Sequence, residues 1–428
     1  MTDYKPRIYE IPFFCKIQLL CLSVVLAWMI SPPLAYAVIY RVICVFAVFL
    51  WIFFQIIDTN KVDEFVNEKL RKTLRMYVVC AVVYAMVLYF FSLTFQHLGL
   101  FISFYENITI YIFLFFGYVV GLYCVENRYE ELKFLFFFAT ILVVIFSLTS
   151  IFRSSEYYLA TRNAGGNDNK VYNEMSREAA MHGVAGFGFF AFSAVFAPSL
   201  LWLSFAYHKV KRAALFISFI IVEIGVFSAG YTIALMVSAI GIGVCIYFKI
   251  QSSVVKFFLI MLLVFAFVFW NDIGEILYHF LQSIMQGTMY ENKVEDIFGF
   301  LIGGNSVGTF EARQERYLMS LSSILQYPIF GSYFLIGENK IGYHSSILDP
   351  YVSYGWLFGF FWTYIISIYP IKLISENKIR GFKFMMFITI FITALLNRTA
   401  FVMSIVFLIV PVISYIDNNT NTLIMEDN

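Results

Sequence analysis

The feature that most constrains this chain is a succession of apolar segments, each about as long as a helix that crosses a lipid bilayer. A backbone that faces lipid must satisfy its own hydrogen bonds, so such segments form helices in a membrane. Of the 428 residues, 61% are hydrophobic and only 13% are charged, whereas charged residues make up about 25% of a typical soluble domain. The sequence therefore predicts an all-α polytopic membrane protein.

The apolar segments predict about twelve transmembrane helices. Their approximate ranges are 12–30, 34–57, 75–95, 107–125, 134–152, 183–207, 213–229, 231–248, 253–270, 350–371, 383–396 and 399–416. The sequence shows no repeat of the length that builds solenoids and no low-complexity tract. We therefore expect one membrane domain over residues 1–428.

Lysine and arginine are distributed unevenly among the segments that connect these helices. They concentrate at residues 61–75, 209–212 and 372–383, whereas the short turns at 31–33 and 96–106 contain none. Cytoplasmic segments carry an excess of these residues. The pattern therefore predicts that both termini are cytoplasmic.

Several classes of function are disfavoured by the composition. The net charge of +1 supplies no basic field for nucleic acid. The sequence contains neither a phosphate-binding GxxxxGK[ST] nor an HExxH zinc motif. Its six cysteines lie in or beside apolar segments without metal-binding spacing, which predicts packing residues. We expect no metal, no cofactor and no nucleic-acid partner.

Two long loops, at residues 153–182 and 271–349, are predicted on the extracytoplasmic side. The second is long enough to contain helices, and part of it has the periodicity of an amphipathic helix. One face of that helix carries Leu318, Leu321 and Leu325, and the other carries Arg313, Arg316, Ser320 and Ser323. We expect the apolar face to rest on the membrane helices.

Arg313 and Arg316 are candidates for binding an anion, because side chains three residues apart on a helix can converge. The planar guanidinium group suits phosphate, since it can donate two parallel hydrogen bonds. The second loop has nine acidic and four basic residues, so phosphate binding would depend on particular arginines. The alternative is pairing with Glu311 or Glu315, or contact with lipid headgroups. Arg177, in the first loop, is a third candidate, with a solvated side chain as its alternative.

His344 lies just before the tenth predicted span. Asp349 and Pro350 resemble a helix start, with aspartate as the N-cap and proline in the first turn. The positive end of that helix favours a neutral imidazole, and a neutral histidine can accept a proton from a hydroxyl group. His344 is therefore a candidate general base, and a purely hydrogen-bonding role is the alternative. Asp349 is a secondary candidate that the helix start also explains.

Two further charged residues are candidates for lining a cavity. Glu223 interrupts an apolar span, and a carboxylate within a membrane is costly enough to suggest a function. It could instead be a protonated structural donor. Arg398, near an outer helix end, is a similar candidate.

The region at about residues 213–361 resembles bacterial O-antigen and capsule repeat-unit polymerases of the Wzy type and the related O-antigen ligases. The resemblance rests on Arg316-Tyr317, on YPIFG at 327–331, on His344 and on SYGWLFG at 353–359. The family often has a Ser-Arg pair between the spans that correspond to the seventh and eighth. This sequence has FSAGYT at 227–232 instead, so another arginine, such as Arg177 or Arg398, would have to supply that contact.

The resemblance implies a metal- and nucleotide-independent glycosyltransferase of the bacterial inner membrane. Its donor and acceptor would be undecaprenyl-diphosphate-linked oligosaccharides, with a chain-length regulator and a flippase as partners. Arg313, Arg316 and Arg177 would bind the diphosphate, and His344 would deprotonate the acceptor hydroxyl group. An O-antigen ligase, which transfers the glycan to lipid A–core, is the alternative within the superfamily. A flippase or transporter of lipid-linked sugars is the alternative from another class.

Overall fold

A computed structural model describes residues 13–57, 129–153, 156–157, 170–205, 207, 209–286, 291, 294, 309–332, 342, 344–368, 371 and 380–397. Its regular elements over these residues are helices, without a strand, which confirms the all-α prediction for this part of the chain. The chain forms two compact units. The first comprises Met1–Ala229, Tyr369–Ile379 and Ala400–Asn428, and the second comprises Gly230–Ile368 and Arg380–Thr399. The expectation of a single membrane domain remains a prediction.

Most of the described helices follow the apolar segments of the sequence. The first unit contains α1 (Phe13–Ile30), α2 (Pro32–Tyr36), α3 (Val38–Ile57), α4 (Tyr129–Arg153), α5 (Lys170–Met181), α6 (Phe187–Ser204) and α7 (Lys209–Ala229). The second contains α8 (Thr232–Lys249), α9 (Ser253–Val268), α10 (Trp270–Met285), α11 (Thr309–Gln326), α12 (Leu348–Thr363) with a π-helical turn at Tyr364–Ile368, and α13 (Arg380–Leu396).

Four helices in the described part of the chain are long and apolar enough to cross a membrane. They are Lys133–Arg153, Phe187–Ser204, Val210–Ala229 and Thr232–Lys249. Shorter apolar helical segments accompany them, including Cys15–Ile30 and Gly381–Leu396. The predicted spans at 75–95, 107–125 and 399–416 lie outside the described residues. The chain therefore has the helices of a membrane protein, and the count of twelve remains a prediction.

One predicted span is interrupted. The segment expected to be helical over 34–57 forms α2 and α3, which are separated at Ala37. This residue has an extended backbone with φ −81° and ψ 108°. Two prolines open α2. Proline suits a first helical turn, because a backbone N–H group at that position would have no acceptor within the helix.

The first unit is built around α4, α6 and α7. Helix α7 packs against α4 and α6, and α1 packs against α4 and α3. Small residues allow the contact between α4 and α7, since a Cβ atom on Gly225 would lie 3.0 Å from the Cβ atom of Ser147. The described cysteines Cys15, Cys21, Cys44 and Cys245 are buried, which confirms the prediction of packing residues. Of these, Cys245 belongs to the second unit.

The second unit contains an antiparallel helix pair. Helix α8 packs along α13, and Gly381 at the start of α13 lies against the Phe248 ring near the end of α8. The end of α13 is therefore at the opposite end of the pair, beside the start of α8. Helix α11 packs against α12, and α13 contacts the π-helical turn that follows α12.

Candidate functional site

Two residues predicted from the sequence meet in the second unit. A guanidinium nitrogen of Arg316, on α11, lies 2.5 Å from Nε2 of His344, although the residues are 28 positions apart. An arginine in a protein keeps its proton, so Arg316 must donate and Nε2 must accept. A hydrogen bond between these two atoms therefore requires a neutral imidazole with its proton on Nδ1. A general base requires this protonation state. The lone pair that would accept the proton is the one that contacts the arginine.

The face of helix α11 that packs against the protein is the opposite of the one expected. Ser320 and Ser323 are buried at 2% and 3% exposure, whereas Leu318, Leu321 and Leu325 are 57%, 46% and 77% exposed. The expectation that the leucines rest on the helix bundle is therefore wrong. The polar face packs inward because its hydroxyl groups and Arg316 have protein partners there. Arg313 belongs to the same helix, three residues before Arg316.

The chain approaches His344 through a close contact with α11. The Gly342 N–H group donates to the Ser320 hydroxyl group at 3.0 Å. A Cβ atom on Gly342 would lie 2.5 Å from the Arg316 carbonyl oxygen, which is too close for any other residue without a backbone shift. Gly342 therefore lets the segment that carries His344 cross α11 at Arg316.

Both partners are anchored to the end of α13. The Tyr317 hydroxyl group donates to the Leu396 carbonyl oxygen at 2.6 Å. The Ser346 N–H group donates to the Asn397 carbonyl oxygen at 3.0 Å. Carbonyl groups at the end of α13 thus bind Tyr317, which follows Arg316, and Ser346, which lies two residues after His344. This common anchor holds the chain segments that carry Arg316 and His344 beside each other.

Ser345, and not Asp349, binds the backbone N–H groups at the start of α12, where Ile347 is the N-cap residue. Its hydroxyl group accepts the N–H groups of Ile347 at 3.2 Å and Leu348 at 2.9 Å. Asp349 lies in the first turn, and its carboxylate accepts the Ser345 N–H group at 3.4 Å. The prediction of Asp349 as the N-cap is wrong, because the helix begins at Leu348. Proline in the first turn is confirmed.

The two glycine-containing motifs of the sequence are in direct backbone contact. Gly355 kinks α12 with φ 80° and ψ −178°, and the Trp356 N–H group donates to the Pro328 carbonyl oxygen at 2.7 Å. A Cβ atom on Gly355 would lie 2.0 Å from the Ile329 carbonyl oxygen. A Cβ atom on Gly331, at φ 72°, would lie 2.4 Å from the Ser353 carbonyl oxygen. This contact between YPIFG and SYG holds the end of α11 against α12.

Two other predicted site residues belong to the first unit. Arg177 is exposed on α5, and Glu223 is partly buried on α7, both in the first unit. Arg398 lies outside the described residues. Gly342 and Ser345 were not predicted, although a glycine two positions before a candidate histidine is a usable signal of close backbone approach.

Within the described ranges, no group of three or more His, Cys, Asp or Glu side chains is placed to hold a metal ion. The sequence matches no protein-family model, and a search of curated proteins found no match.

Proposed function

We propose that this protein is a polysaccharide polymerase that transfers a polyprenyl-diphosphate-linked glycan onto a lipid-linked repeat unit. The observation that carries the proposal is the contact between Arg316 and the Nε2 atom of His344. It places a cation suited to a diphosphate leaving group next to a neutral base suited to a hydroxyl nucleophile. The reaction that the sequence resemblance implies would use both groups.

The position of the pair in the second unit supports a lipid-linked substrate. Helix α8 has 18 residues, which corresponds to a length of roughly 27 Å and is close to the thickness of a bilayer core. The Arg316–His344 pair is anchored at the end of α13 that lies beside the start of α8. Lys249 and Lys383 are at the other end of the helix pair. By the positive-inside rule that end is cytoplasmic, so the pair would face the outer side, within a twelve-span topology.

The proposed reaction needs no nucleotide, because the donor already carries its leaving group. An acceptor hydroxyl oxygen attacks the anomeric carbon of the donor, and His344 takes the hydroxyl proton on Nε2. The bond between that carbon and the diphosphate oxygen breaks, and the diphosphate leaves with the electron pair. Arg316 stabilises the charge that develops on it, with Arg313 as a second cation.

The hydrogen bond between the two side chains implies an order of events. Nε2 cannot accept a proton while the same lone pair accepts from Arg316. A diphosphate that draws the guanidinium group away would release that lone pair, so the donor should activate the base.

Diethyl pyrocarbonate attacks an unprotonated imidazole nitrogen, so it can report the release of the Nε2 lone pair. Adding inorganic diphosphate should accelerate the modification of His344 and leave that of His279, exposed on α10, unchanged. An equal rate for His344 with and without diphosphate would contradict this order.

The direct test is complementation of a deletion strain. His344→Ala and Arg316→Lys should each abolish long-chain glycan at normal membrane levels, because neither a methyl group nor a point charge replaces the lost function. His279→Ala, a histidine variant in the same unit, should retain it. Full-length glycan from both site variants would overturn the assignment.

The same strain separates the alternatives. Loss of a polymerase leaves lipid A–core with one repeat unit, whereas loss of a ligase leaves it with none. A flippase, purified and placed in lipid vesicles, would move lipid-linked sugar across the vesicle membrane without forming longer glycans. The polymerase is favoured over a flippase here because the candidate groups lie at a helix end and form a base–cation pair.

A further inference from the structure

We infer that the outward face of α11, together with the adjoining face of α12, is a lipid-binding surface that lies in the acyl-chain region of the bilayer. Leu318, Leu321 and Leu325 are exposed on α11, and Ile329 and Phe330 extend this patch beyond the helix end. We call this set the leucine face. The inference does not depend on the proposed reaction.

Exposed apolar side chains of α12 follow the point where the leucine face meets that helix. The backbone contact between Ile329 and Gly355 places the end of the leucine face beside the kink of α12. The residues that follow the kink include Trp356, Leu357 and Phe360, which are also exposed. Exposed apolar side chains on two helices that pack against each other suit contact with acyl chains.

The exposed side of α11 has a second, polar edge. At 100° per residue, Glu315, Ser322 and Gln326 lie side by side, roughly 60–100° from the centre of the leucine face. All three are exposed, and the Gln326 side chain donates to the Ser322 hydroxyl group at 3.5 Å. A helix with an apolar face and an adjacent polar edge lies in the membrane interface, with the polar edge in water.

The anchoring contacts place α11 at the correct depth for this role. Tyr317 is bonded to the end of α13, and α13 packs along the membrane-length helix α8. Helix α11 is therefore at the level where a spanning helix ends. Arg316 lies roughly 180° around α11 from Leu325, so the helix itself separates the acyl chains from the arginine. Such a helix would hold the Arg316–His344 pair at the height of lipid headgroups.

The test uses nitroxide labels on single cysteines in protein whose six native cysteines are replaced by alanine. The protein is placed in vesicles of phosphatidylethanolamine and phosphatidylglycerol, and collisions with oxygen, which enriches in lipid, are compared with collisions with a water-soluble nickel chelate. Leu321→Cys and Leu325→Cys should give oxygen-to-nickel ratios several-fold above those of the neighbouring controls, Ser322→Cys and Gln326→Cys. Equal ratios at the four positions would refute the inference.

A surface covered by protein gives a different result. If a second copy or another subunit covers the leucine face, labels at Leu321 and Leu325 will be shielded from both reagents, which also refutes the inference. A second measurement keeps the native cysteines. A benzophenone amino acid at Leu325 should crosslink to lipid, detected by mass spectrometry, and one at Gln326 should not. Crosslinks at Leu325 to protein alone would refute the lipid assignment.

Discussion

Replacing Gly355 by alanine should destabilise the second unit strongly. The backbone at φ 80° and ψ −178° belongs to a region that essentially only glycine adopts, which costs any other residue about 1–3 kcal/mol. The added Cβ atom would lie 2.0 Å from the Ile329 carbonyl oxygen and 2.4 Å from its carbon. Overpacking of this kind costs about 1–3 kcal/mol more, because two backbones must separate. The sum is about 2–6 kcal/mol.

Thermal unfolding in detergent, followed by the fraction of monodisperse protein, measures this loss. At about 2–4 °C per kcal/mol for a unit of this size, the apparent melting temperature should fall by at least roughly 4 °C. Gly243→Ala is the matched control, since α8 is regular there and a Cβ atom would meet nothing within 4 Å. A melting temperature of Gly355→Ala equal to that of Gly243→Ala would refute the kink and its contact with YPIFG.

Three further substitutions test how the site is held. Tyr317→Phe removes the hydrogen bond to Leu396, so it should cost about 0.5–1.5 kcal/mol and lower glycan length without abolishing it; unchanged thermal stability would contradict that bond. Gly342→Ala should push the chain away from Arg316 and abolish long-chain glycan. Membrane insertion, measured by immunoblot of the membrane fraction, should stay normal. Wild-type glycan from this variant would show that the close approach is not needed. Ser345→Ala removes the hydroxyl group that accepts two N–H groups at the start of α12, so it should lower stability by about 1 kcal/mol. Ser345→Thr should retain most of that stability in the same unfolding assay.

The sequence by itself determined which segments become helices. Apolar length predicted α4, α6, α7, α8, α9 and α13 within a few residues, because a lipid-exposed backbone has few alternatives to a helix. The interruption at Ala37 escaped prediction, since hydrophobicity continues through it. The sequence also selected Arg316 and His344 as candidates from their chemistry and from the motifs around them.

Only the tertiary structure decided that these two side chains touch. They are 28 residues apart, and the contact depends on Gly342 crossing α11 and on two anchors at the end of α13. Helical periodicity identified the two faces of α11 but not which one is buried. In a soluble protein the leucines would turn inward, because water surrounds the molecule. The inferred position of α11 beside a bilayer accounts for its orientation, because lipid would solvate the leucines while serine and arginine find their hydrogen bonds inside the protein.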